Sequence, residues 1–160
     1  MRVGINAIGR LKAGAERDLV ARYLDRFTKA APPLGLEFSG VSEAAESRLG
    51  SAAERMREEA SRVDVALSGG AALVLLDERG KNVGSTAFAQ LIAHQRDAGT
   101  RQMVFAIGGP DGHAPVLHEK ASQLISFGAA TWPHQLVRVM LAEQLYRAAT
   151  ILSGHPYHRA

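Results

Sequence analysis

The chain has 160 residues, a formal net charge of +3, 46% hydrophobic and 22% charged residues, and no cysteine. That length supports one domain with its own core. The missing cysteines exclude disulfides, thiolate metal sites and thiol nucleophiles and suit a reducing compartment, which makes the cytoplasm the expected location. No apolar run approaches the roughly 20 residues of a membrane span, and the opening MRVGINAIGR lacks a signal-peptide pattern.

Residues 3–8 alternate as a strand, and 14–30 carry Leu19, Val20, Tyr23, Leu24 and Phe27 at helical spacing. After the stop Ala31-Pro32-Pro33-Leu34-Gly35 comes a short apolar segment, Leu36 to Val41, and then a charged, alanine-rich helix over about 43–66. Ala71 to Leu76 is a continuous apolar run of the kind found in buried parallel strands. The sequence DERGKNVGS then turns into a helix, with Gly80 permitting a tight turn, Ser85 as N-cap, and Phe88, Leu91 and Ile92 inside. Met103 to Ile107 is a further buried strand, followed by GGPDGHAP, a short helix near 114–122, an apolar stretch Gln123 to Phe127, and a long helix from Pro133 to Leu152. Strands alternating with helices predict an α/β domain with a mainly parallel sheet. Neither an internal repeat nor a low-complexity tract is visible.

Several chemistries are poorly supported. VGINAIGR has Ala7 and Lys12 where a dinucleotide fingerprint needs its outer glycines, and neither a P-loop nor a G-x-S-x-G elbow is present. His113 and His118 are five apart with no evident carboxylate, and His155 and His158 have no further ligands nearby, so no metal is expected. More informative is IGGPDGH (Ile107 to His113), where adjacent glycines directly after a strand admit close approach of a ligand or of another chain segment. In the last helix His134 and Arg138 share a face, as do Glu143 and Arg147. Leu136, Val139, Met140, Leu141 and Leu145 read as core or interface. The closing ILSGHPYHRA crowds His155, Tyr157, His158 and Arg159 around Pro156, and residue chemistry alone leaves both a solvated tail and a site open.

Taken together, LLDERGK, FAIGGPDGH, TWPHQLVRVMLAEQLYRA and the closing HPYHR resemble the RlmH family, bacterial methyltransferases of the SPOUT superfamily that modify a pseudouridine in large-subunit ribosomal RNA. The resemblance runs end to end and is most specific in the C-terminal ninety residues. It implies a single domain over 1–160 whose region from about 71 to 160 is threaded into a deep trefoil knot, an exception to the rule that chains do not knot. It implies S-adenosylmethionine as cofactor, with contacts at Leu76, Gly108 and the loop Phe127, Gly128, Ala129, Ala130, Thr131 and Trp132. Gly128-Ala129-Ala130 departs from the commoner family pattern, so backbone contacts are the ones expected to persist there. It also implies a homodimer with each active site at the subunit interface.

The expected reaction is attack by N3 of pseudouridine on the sulfonium methyl group, an in-line displacement without metal or covalent intermediate. N3 is protonated at neutral pH, so a base or a nearby cation assists. His158 and Tyr157, with His134 behind them, are the candidates for deprotonation or positioning. Arg138, Arg147 and Arg159 are the candidates for holding phosphate or stabilising the imide anion. Two rivals stand beside this reading: a SPOUT-type methyltransferase acting on transfer RNA, and a ribosome- or RNA-binding module without catalysis.

Overall fold

Strand β1 (Arg2–Ile8) is buried from Val3 onward, and its two neighbours cover both of its edges: β2 (Glu37–Ala44) on one side and β4 (Gln102–Ile107) on the other. The computed structural model describes residues 1–67 and 69–158. Among these residues the sheet has five strands in the order β2-β1-β4-β3-β5, where β3 is Ala72–Asn82 and β5 is Gln123–Ser126, and every pairing is parallel. The expected α/β architecture with a mainly parallel sheet is therefore present.

Parallel strands need crossovers, and helices supply them on both faces. Alternation along the strands sorts the two cores. Val3, Ile5 and Ala7 of β1, Val74 of β3, and Met103, Phe105 and Ile107 of β4 pack beneath α1 (Ala15–Ala30), α3 (Ser85–Asp97) and α5 (His134–Ser153). Leu73, Leu75 and Ala106 point the other way, under α2 (Ala52–Ala66) and α4 (Pro115–Lys120). Helix α5 is held by a stripe of Leu141, Ala142, Leu145, Ala148 and Ala149. Of the apolar residues expected on it, Leu136 is 38% exposed, and Val139 and Met140 are half-buried beside a groove.

Three boundaries differ from the sequence reading. The helix expected over 43–66 begins at Ala52, because β2 continues to Ala44 by pairing with Ile8 and because Ser51 forms a capping box with Glu54. DERGKN stays in β3 instead of turning: the ladder slips between Leu76 and Lys81, after which Lys81 and Asn82 pair with Ile125 and Ser126. A Cβ on Gly80 would sit 2.5–2.7 Å from the Ile125 backbone, so this glycine serves close strand approach. Gly84, not Ser85, is the N-cap of α3.

Because all five strands run the same way, their C-terminal ends and the loops that follow gather at one edge of the sheet. Open α/β sheets bind ligands there.

Candidate active site

A cleft of about 950 Å³ opens at this edge. Its walls are the end of β3 (Leu76 to Arg79), the glycine turn Gly108 to His113, the loop Phe127 to Pro133, and the first turn of α5 with His134 and Val137. Of the cofactor contacts implied by the resemblance, Leu76, Gly108, Phe127, Gly128, Ala130, Thr131 and Trp132 all line it, whereas Ala129 is exposed and off the lining. Gly128 has φ +111°, a conformation that side-chain-bearing residues avoid, and the loop is closed by Ser126 Oγ donating to the Gly128 carbonyl at 2.8 Å. Trp132 Nε1 donates to the Phe127 carbonyl at 3.3 Å, and its ring remains 43% exposed at the mouth.

The glycine turn is built by close approach, both within itself and to helix α2. A Cβ on Gly108 would meet Gly112 at 3.1 Å, one on Gly109 would meet Glu59 at 2.9 Å, and Gly112 itself has φ +80°. Helix α2 braces this turn from behind. Arg55 forms a two-pronged pair with Asp111, Nε to Oδ2 at 2.6 Å and Nη2 to Oδ1 at 3.0 Å. Glu59 is buried, accepts from the Ser47 amide at 2.8 Å through Oε1, and has its carboxyl pushed up chiefly by burial.

Opposite the turn, the carboxylate expected to be missing near the histidines is present, supplied by another strand. Asp77, whose side chain is 4% exposed, accepts from His118 Nε2 at 2.8 Å, from Arg79 Nε at 3.1 Å and from the Arg79 amide at 2.9 Å. Burial opposes ionisation of Asp77, but the hydrogen bonds from Arg79 and His118 outweigh it and hold its pKa well below the usual carboxylate range. His113 is 6% exposed and its Nε2 lies 3.1 Å from the Leu76 carbonyl, which makes that nitrogen the protonated one; burial pushes its pKa down and keeps the ring neutral. Among the described residues no group of three or more His, Asp or Glu is arranged to hold a metal ion. Asp77 and Arg79 stand in the LLDERGK motif, but the pairing of Asp77 with His118, 41 residues on, and that of Glu59 with Ser47, 12 residues back, carried no sequence signal.

The predicted α5 residues separate into two places. His134 lines the cleft, half-buried, with Nε2 3.8 Å from Glu46. Arg138, on the same face, is 2% exposed: it donates through Nη1 to Glu43 and through Nη2 to the Gly9 carbonyl, tying α5 to the ends of β1 and β2. Its guanidinium is turned into the protein, away from any phosphate.

Arg147 lies thirteen residues after His134, roughly 20 Å along the helix. It donates through Nε to Glu143 at 2.9 Å and stacks 4.9 Å over the Tyr157 ring, and the Tyr157 hydroxyl donates to the same Glu143 oxygen at 3.0 Å. Burial, with hydrogen bonds to Tyr23 and Glu143, raises the Tyr157 pKa, so the phenol stays protonated. The tail folds back because Gly154, at φ 68°, ends α5 in the left-handed conformation and the His155 amide returns to the Thr150 carbonyl at 2.9 Å. His158 is half-buried, and its Nδ1 has no partner among the described residues. Arg159 lies outside the described residues. Glu143 also borders a groove of about 430 Å³ with Tyr23, Phe127, Val139 and Met140. Phe127 touches both this groove and the cleft, but Tyr157, His158 and Arg147 line neither cavity.

A parallel sheet with a ligand-sized cleft of glycine turns at its C-terminal edge defines the class of small-molecule-dependent α/β enzymes. The family model described as "Predicted SPOUT methyltransferase" matches residues 1–158, and the chain belongs to this family. It is similar to proteins named ribosomal RNA large subunit methyltransferase H: 62% identical to that of Brucella anthropi and 59% to that of Rhizobium meliloti over 160 residues, and 59% to that of Brucella abortus strain S19 over 169 residues, each match covering both chains completely.

Proposed function

We propose that this chain is an S-adenosylmethionine-dependent methyltransferase that methylates N3 of a pseudouridine in large-subunit ribosomal RNA, acting in the cytoplasm as a homodimer. The observation that carries it is the convergence on one cleft of Leu76, Gly108 and the 127–132 loop, in a chain similar along its full length to ribosomal RNA large subunit methyltransferases.

The residues present fit the cofactor. Backbone groups exposed by Gly108, Gly109 and Gly128 suit adenine and ribose, and Ile107, Ile125 and Val137 supply an apolar wall. Bound S-adenosylmethionine supplies an electrophilic methyl group, and the chain must orient the target nitrogen and take its proton. His134 reaches the cleft in its own protomer. Tyr157, His158 and Arg147 do not line that cleft, and in this reading they serve the cleft of a second copy. There the protonated Tyr157 positions the base, His158 accepts the N3 proton, and Arg147 with Arg159 stabilises the imide anion or a phosphate. The region 71–160 is read as the knotted cofactor-binding part.

Methyl transfer from labelled S-adenosylmethionine to ribosomes isolated from a deletion strain, followed by mass spectrometry of the RNA, tests the assignment. Label appearing at one pseudouridine of the large-subunit RNA is expected. Label on transfer RNA alone, or no binding of S-adenosylmethionine by calorimetry, overturns it. For the shared site, a chain lacking residues 157–160 is mixed with A130W, which plugs the cleft. Each is expected to be inactive alone and active together, and no recovery on mixing refutes sharing.

A further inference from the structure

We propose that His113 is a positioning residue for the cofactor, one that presets both walls of the cleft by fixing the Leu76 peptide against the glycine turn. The inference rests on the reading of this cleft as the S-adenosylmethionine site.

Leu76 is where the β3 ladder fails. It pairs with Ile107 of β4 and Ile125 of β5, and the register then slips until Lys81. A backbone acceptor at such a break is costly unless another donor reaches it. His113 reaches it, with Nε2 3.1 Å from the Leu76 carbonyl and the ring 6% exposed. The same ring backs the other wall: a Cβ added to Gly108 would lie 3.3 Å from His113 Cε1. The next residue of β3 is held in parallel. His118, edge-on to His113 with ring centroids 6.3 Å apart, bonds the Asp77 carboxylate at 2.8 Å. Two histidines, His113 at the end of the glycine turn and His118 in α4, thus hold consecutive residues of β3 and tie the two walls together.

The pair H113L and H113Q tests the proposal, since the glutamine amide nitrogen extends to about the position of Nε2. Calorimetry with S-adenosylmethionine, steady-state kinetics on ribosomal substrate and thermal melts are run on full-length protein, with A130W as the control. H113L is expected to raise both Kd and KM for S-adenosylmethionine about five- to tenfold, the effect of one lost neutral hydrogen bond. Its kcat and its KM for RNA stay within about twofold, and H113Q recovers most of the affinity. The proposal is overturned if H113L binds the cofactor like the natural protein, if H113Q is no better than H113L, or if kcat falls with KM unmoved. Should H113L fail to fold, H113A takes its place beside H113Q under the same criteria. If A130W binds the cofactor normally, the cleft reading itself fails; if A130W loses binding while H113L keeps it, only the role of His113 falls.

Discussion

Arg138 is the residue at which sequence reasoning and tertiary structure point to different experiments. As a phosphate contact it would add to the salt dependence of RNA binding; as placed, it clamps α5 to Glu43 and the Gly9 carbonyl. R138M removes both bonds while keeping most of the apolar stem. Breaking a fully buried pair costs about 3–5 kcal/mol, but the Glu43 side chain is 32% exposed and can rehydrate, so about 2–3 kcal/mol is expected here. For a chain of this size that is a fall in Tm of about 5–10 °C. A double-mutant cycle with E43Q should give a coupling of roughly 1 kcal/mol or more. Binding to ribosomal substrate, followed from low to moderate salt, should keep the natural protein's slope of log K against log salt. A phosphate contact would instead lower that slope by about 0.7–0.9. A melt within about 2 °C of the natural protein, together with a slope reduced by that amount, would refute the clamp and restore Arg138 to the RNA.

Other expectations follow from the same geometry. G80A places a Cβ against the Ile125 backbone, where no side chain can rotate away, and should cost about 1–3 kcal/mol, a Tm loss of about 3–10 °C by differential scanning calorimetry; a silent variant would mean that β3 and β5 do not approach this closely. S51A removes the capping box of α2 and should cost about 1 kcal/mol, seen as a shift of a few degrees in the same melt. Asp77 has a folded pKa below its unfolded value near 3.8, so its contribution is present above that pH and is lost as the pH falls through the depressed value. D77N should therefore lower Tm at pH 7 and converge on the natural protein as the pH drops below about 4, and a gap that widened in acid would contradict the assignment. Deleting residues 157–160 should abolish methyl transfer while leaving the core folded, with a Tm lowered by a few degrees through loss of the Tyr157 contacts to Glu143, Arg147 and Tyr146, and a fully active truncation would return the segment to the status of a tail.

Much of this protein is legible along the chain. Periodicity marks β1, α1 and α5, and continuous apolar runs mark the doubly covered strands β3 and β4. Glycine placement pointed to the 108–112 turn, although the approach of Gly109 to Glu59 and Ile8 depends on segments far away. The extension of β3 was not legible, since it is set by pairing of Lys81 and Asn82 across a slipped register; the start of α2 was legible in part, in the capping-box spacing of Ser51 and Glu54, whereas the pairing of Ala44 with Ile8 was not.

The site divides along the same line. Residue order alone determined the α/β class, the family and the segments that line the cleft, because these follow from local pattern and from motifs that stay contiguous in the chain. The tertiary structure decided that Arg138 faces inward, that Asp77 joins His118, that His113 holds Leu76, and that Tyr157 and Arg147 close on Glu143 away from the cleft. Each of these is a contact between side chains brought together by the fold, whose geometry residue type and helical spacing alone do not supply.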